Sequence, residues 1–173
     1  IPPAYFPLRM EMRAFPDPRT IHLLQGIGVE TVVYHSEPAI PAQETALLRR
    51  VEDYPVLTQV VGKPNYVFQL APNPWMWELV DALPDGAAVD LPALPEDPVL
   101  FGLLAAVLQR EGHTVYGEGV LEYWHVPDAP DSVCYVVLPA AEDAGNWGDS
   151  GAVLLRESGG LALYVKAGCK TSE

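Results

Sequence analysis

The sharpest chemical pattern in this 173-residue chain is Gly148-Asp149-Ser150-Gly151, a segment of the kind that carries a serine nucleophile. Such a serine needs a histidine base and a buried acid converging on it. The histidines are His22, His35, His113 and His125, and none lies in the Ala-Ala-His-Cys setting that accompanies this kind of serine. Predicted helices also conflict with a double β-barrel, so the simpler reading is a turn before the last hairpin. No catalytic residue is assigned. A second grouping, Asp128, Asp131, Glu142, Asp143, Asn146 and Asp149, offers the oxygens that a hard cation wants. Its spacing fits no EF-hand loop, and a solvated acidic surface accounts for it. Adjacent pairs such as Glu96/Asp97 and Glu142/Asp143 need not face one ligand, and their simplest use is at helix N-termini. Dinucleotide, P-loop, His-Glu-x-x-His and Cys-x-x-Cys motifs are missing, so neither a metal nor a cofactor is expected.

Three residues remain as binding candidates: His35, Trp124 and His125. His35 follows an apolar run and takes the position where α/β proteins hold ligands, outside the carboxyl end of a parallel strand. Trp75, Trp77, Trp124 and His125 can line a sugar-binding face, because flat aromatic rings stack on the apolar faces of pyranoses. The competing use of each is structural: a hydrogen-bonded histidine, or a large hydrophobe in a core or subunit contact.

The elements that must position these residues are legible. Asp17 is an N-cap with Pro18 at the first helical position, Ile21 and Leu24 share a face with Ile27, and Gly26 or Gly28 ends the helix. Thr31 to Tyr34 then reads as a strand covered on both faces, as in a parallel sheet. Residues 1–14, with Pro2, Pro3 and Pro7, read as extended with at most a helical turn. After a proline-bounded loop at 37–41, residues 42–53 read as a helix. The runs 56–61 and 66–70 flank the turn Gly62-Lys63-Pro64-Asn65 and make a β-hairpin. Pro72, Pro74, Trp75 and Trp77 mark a junction, followed by a helix over 75–82, a turn at Pro84-Asp85-Gly86 and a strand over 87–91. Asp97-Pro98 repeats the helix-start signal, and Val99 to Arg110 is apolar nearly all round, which predicts burial against a sheet and an end at Gly112. Strands are expected over 114–116, 120–126 and 132–138, and a last hairpin over 152–166 about Ser158-Gly159-Gly160.

The fold class expected is therefore α/β: a mixed, partly parallel sheet with flanking helices. Ser132 to Leu138 echoes Val29 to His35, and each half closes with a β-hairpin, which suggests two related units, 1–72 and 73–173, able to pack as one domain. Val133 to Val137 joins Thr31 to Tyr34 as a central strand.

Charge excludes two partner classes. The net charge is −13, and residues 78–173 hold 4 Lys+Arg against 16 Asp+Glu, whereas residues 1–77 hold 6 against 7. Such a surface repels phosphate backbones and anionic headgroups, which argues against nucleic acid and a peripheral membrane role. The longest stretch without a charged residue, Pro64 to Trp77, contains three prolines and is too short to span a bilayer. A start at Ile1 with no basic-then-apolar leader suggests a piece of a longer protein. Cys134 and Cys169 are too few for a disulfide scaffold or a zinc site; Cys134 packs in its apolar strand, or pairs with Cys169 in an oxidising compartment.

Pro2-Pro3-Ala4-Tyr5, Phe15-Pro16-Asp17-Pro18, Leu23-Leu24, Gly28-Val29 and Val32-Val33-Tyr34-His35 together resemble the soluble tail of bacterial polytopic membrane glycosyltransferases of the lipid-linked-sugar class, and of related multi-span proteins. The hairpin strand Asn65 to Phe68 and the run Gly160 to Val165 look like closing strands of the same group. The specific part covers residues 2–70. The resemblance implies an extracytoplasmic α/β domain on a bacterial membrane, attached to the membrane-embedded portion of a parent protein whose catalytic acid lies in a part not present in this chain. It further implies a noncatalytic accessory role, with a glycan or lipid-linked acceptor as the partner. The strongly acidic second half departs from the group's pattern. The alternatives are a free-standing, hydrolase-like α/β enzyme using His35 or Ser150, and a purely structural or subunit-contact module.

Overall fold

The structure is a computed structural model that describes residues 8–9, 11–35, 41–62, 65–92, 97–117, 120–121, 124–125, 127–140 and 151–169. The chain divides into two compact units, one comprising Arg9–Pro74 and the other comprising the residues from Trp75 onward together with those up to Leu8.

In the first unit a 3-10 turn, Met12–Ala14, precedes helix α1, Pro18–Gly26. Asp17 caps α1, its Oδ1 accepting the N–H groups of Arg19 and Thr20 at 3.1 and 3.2 Å, while its other oxygen takes the Thr20 hydroxyl. The helix ends at Gly26, and Gly28 (φ 82°) supplies the left-handed residue that turns the chain into strand β1, Thr31–His35. Helix α2, Pro41–Glu52, begins at the last residue of the expected proline-bounded loop and leads to the hairpin of β2, Leu57–Val61, and β3, Asn65–Leu70; residues 63–64 of the anticipated turn, and 37–40 of that loop, lie outside the described residues. Both β1 and β2 pair antiparallel to β3, giving the order β1-β3-β2. Strands β1 and β2 are consequently parallel to one another with β3 inserted between them, a split β-α-β arrangement.

This corrects the expectation for residues 31–34. Strand β1 is an edge, paired antiparallel, and of its five residues only Val32 is buried, with Val33 50% exposed. The run of β-branched residues reports strand propensity, not two-sided cover. Side chains alternate across the sheet, so Val32 and Tyr34 share one face with Tyr66, Phe68 and Leu70. On that face Tyr66 and Phe68 stack at 6.3 Å, Phe15 lies 6.2 Å from Phe68, and Tyr34 lies 6.5 Å from Tyr66. The helices of the unit bury Ile21, Leu23, Leu24, Leu47 and Val51. Gln25, also buried, donates its Nε2 to the Ala71 carbonyl at 2.7 Å. Thr31, Val33 and His35 share the opposite face with Val67 and Gln69, where cover is sparse.

The second unit opens with helix α3, Trp75–Val80, and strand β4, Ala88–Asp90. Helix α4, Pro98–Arg110, is capped by Asp97, which accepts the Leu100 N–H at 3.0 Å, and is followed by Gly112 at φ 88°. It carries the chain to β5, Thr114–Tyr116, which lies parallel and adjacent to β4. Strand β8, Tyr135–Pro139, is parallel to β4 on its other side, β10, Leu161–Val165, is antiparallel to β8, and β9, Val153–Ser158, closes the order β5-β4-β8-β10-β9. Two-residue strands β6, Val120–Leu121, and β7, Trp124–His125, pair separately, so the expected 120–126 run is not one continuous strand, and Val126 lies outside the described residues.

Here the two-sided burial exists. Strand β8 is central, and every residue of β10 is buried, as are Val99, Phe101, Leu103, Leu104, Val107 and Leu108 of α4. Helix α4 packs on β5 and on α3. Both units are α/β and both close with a hairpin, but the first sheet is wholly antiparallel and the second is mixed, so the echo between 29–35 and 132–138 is one of strand-forming residues and not of topology. Cys134 and Cys169 form a disulfide across Cα atoms 5.7 Å apart, so packing as a free thiol is not the fate of Cys134. No helix among the described residues is long and apolar enough to cross a membrane.

Candidate functional site

His35 ends β1, and its register partner on β3 is Asn65. Cross-strand partners share a face, and the imidazole Nδ1 meets Asn65 Oδ1 at 2.8 Å, with both side chains open to solvent. The parallel-strand rationale for His35 fails because β1 pairs only antiparallel. What remains is an exposed hydrogen-bonding pair at a sheet corner. Its neighbours on that face are Thr31, Val33, Val67 and Gln69, and aromatic Tyr34 points to the opposite one, so no ring on β1 or β3 stacks beside the imidazole.

A parallel-strand carboxyl end does exist, at Asp90 on β4, where the sheet extends to β5 on one side and to β8 on the other. Asp90 is engaged: its carboxylate lies 3.3 Å from the Lys166 ammonium, with both side chains largely sheltered. Glu78 is tied in a similar way, meeting Arg156 at 3.3 Å and accepting the Ser158 hydroxyl at 3.0 Å. These pairs join α3 to β9 and β4 to the end of β10, and their evident work is structural.

A cavity of about 410 Å³ lies in the first unit beside β1. Its apolar surface comes from Met12, Phe15, Val32, Tyr34 and Leu47, with Ala46 at the side, and its cations are Arg13 and Arg50. Arg50 is positioned by α2, and one guanidinium nitrogen donates to the carbonyls of Ala14 and Pro16, at 2.6 Å each, which holds the turn before α1 against α2. No carboxylate among the described residues pairs with Arg13 or Arg50. Sequence reading missed this site because its wall is assembled from 12–15, 32–34 and 46–50, and neither arginine sits in a motif. Its one sequence signal is that residues 1–77 hold 6 of the chain's 10 Lys+Arg.

The other sequence candidates scatter. Trp124 and His125 lie on β7 in the second unit, and their side chains are outside the described part of the structure. Trp75 is 1% exposed and covers the Gly159 turn, while Trp77 carries the Arg110 guanidinium 5.3 Å from its ring centre, so both indoles are packing groups. His113 is buried, and its Nδ1 has no hydrogen-bond partner. Ser150, Gly148 of its Gly-Asp-Ser-Gly segment, Glu96, Glu142, Asp143, Asn146 and Asp149 lie outside the described residues, while Asp128 and Asp131 are exposed. Among the described residues no group of three or more His, Cys, Asp or Glu side chains is placed to hold a metal ion. No family model, no curated protein and no solved structure matches this chain.

Proposed function

We propose that the chain is a noncatalytic accessory domain on the extracytoplasmic face of a bacterial membrane, belonging to a glycosyltransferase-like membrane protein and holding a glycan or lipid-linked acceptor without transforming it. The observation that carries this reading is the Cys134–Cys169 disulfide, because such bonds persist in oxidising compartments and are rare where thioredoxin and glutathione operate. The resemblance carried by residues 2–70 supplies the parent protein. His35 and Asn65 support the binding role: an exposed imidazole–amide pair with no charge beside it on β3 suits sugar hydroxyls. A flat, open site of this kind gives modest affinity, near a millimolar dissociation constant, or about 4 kcal/mol.

Two measurements test it. Thiol titration of the protein isolated from its own cells under alkylating conditions should find no free cysteine; two titratable thiols would refute the compartment. A panel of neutral oligosaccharides followed by amide chemical shifts should perturb the His35–Asn65 corner and lose that response in His35→Ala with the fold intact. An unresponsive panel would favour a subunit-contact module instead, a reading supported by half-exposed Val33 and Val61 on either side of Val67 on the open face.

A further inference from the structure

We infer that the free edge of β1 is a docking strand for an extended peptide that carries a large apolar side chain and, two residues along, an acidic one. The hydrogen-bond phase of the sheet gives the first ground. Leu70 N–H donates to the Glu30 carbonyl at 2.9 Å, and the bonded pairs of an antiparallel ladder recur every second residue, so Val32 and Tyr34 turn their main-chain groups toward β3. Thr31, Val33 and His35 turn theirs outward. Among the described strands β1 has only β3 as a neighbour, and no described residue hydrogen-bonds the Val33 amide or carbonyl.

The second ground is how the two edges of this sheet are treated. Strand β2, the other edge, breaks register between Gln59 and Val61, a device that discourages pairing. Strand β1 keeps register over all five residues and contains neither proline nor lysine. Natural edges are normally blunted, so an edge left regular suits a partner strand.

The cavity supplies the third ground and the chemistry of the occupant. Val32 and Tyr34 line it from one face of the strand and Val33 between them borders it as well, so the cavity runs along β1. A strand laid along β1 would bond to the Val33 main chain and drop alternate side chains toward Phe15 and Leu47, where an apolar group fits. Arg13 and the unspent guanidinium N–H groups of Arg50 stand at the same place, in a chain of net charge −13, with no acid among the described lining residues. An acidic side chain two residues from the apolar anchor, and so on the same face, would complete them through charge-assisted hydrogen bonds. Main-chain bonding provides affinity in this mode and the alternate side chains provide selectivity.

The test uses the whole chain and a blocked octapeptide of alternating valine and threonine with a central Phe-Thr-Asp segment, read by fluorescence anisotropy and by amide shifts. Binding should perturb Thr31 to His35 and the cavity residues. Methylating alternate peptide amides, which leaves the protein untouched, should abolish binding. Arg13→Glu should weaken it about tenfold, the scale of one charge-assisted bond, and a Phe-Thr-Lys peptide should recover that loss. Equal binding of the methylated peptide, or no binding by the octapeptide, overturns the inference. Self-association of the chain that is abolished by Val33→Pro also overturns it, because the edge would then belong to a second copy.

Discussion

Gly159 and Gly160 are neighbours in one hairpin turn, yet their surroundings demand different things of them. Both have positive φ, 61° and 83°, as a two-residue hairpin loop requires. A Cβ on Gly159 would fall 2.1 Å from the Trp75 ring, whereas a Cβ on Gly160 would meet nothing within 4 Å. Gly160→Ala therefore costs the left-handed penalty alone, about 1 kcal/mol, and Gly159→Ala adds overpacking against a buried indole for a total of about 2–5 kcal/mol. Urea denaturation of the two variants should rank them in that order, and equal losses would mean that the indole yields. The caps Asp17 and Asp97 are the other residue-scale determinants. Alanine at either should cost about 1 kcal/mol in the same assay, with Asp17→Ala the larger loss because its carboxylate also holds the Thr20 hydroxyl.

At the scale of elements, α4 and β1 show how far apolar content predicts burial. Helix α4 is apolar nearly all round, and thirteen residues joining two adjacent parallel strands have to lie on the sheet, so the composition is matched by position. Leu104 is fully buried there, and Leu104→Ala should cost about 2–5 kcal/mol by urea denaturation, against less than about 0.5 kcal/mol for Gln109→Ala on the exposed side of the same helix. A small loss at Leu104 would place the helix away from the core. Strand β1 is the opposite case: Thr-Val-Val-Tyr-His resembles a covered strand in composition, but the insertion of β3 between β1 and β2 leaves it at the rim with one face open.

For the molecule as a whole, the disulfide is the feature that couples stability to environment. It links the residue before β8 to the segment after β10, and closes a loop with a sequence separation of 35. Chain-entropy arguments assign such a closure about 3–4 kcal/mol. Reduction, or the paired change Cys134→Ser with Cys169→Ser, should lower the urea midpoint by a corresponding amount while leaving the circular dichroism of the folded state unchanged. No change in midpoint would mean that the strands hold these ends together unaided. The bond also connects stability to the proposed location, since a reducing compartment would remove that contribution.

The sequence by itself determined the local elements. Asp17-Pro18 and Asp97-Pro98 start helices because a carboxylate satisfies the first free N–H groups, Gly28 and Gly112 follow helix ends because they adopt positive φ, and the two hairpins follow from turn residues between apolar runs. All of these depend on residues a few positions apart. Only the tertiary structure decided which strand became an edge, which cysteine fate was realised, and where a cavity opened. Strand order depends on whether a later strand inserts beside an earlier one, a matter of packing between residues some 35 positions apart, as Val32 and Phe68 are. The site inherits this dependence: His35 and Asn65 meet through register, and Arg13, Phe15, Val33 and Arg50 meet because a turn, a strand edge and a helix converge, which no periodicity within the chain encodes.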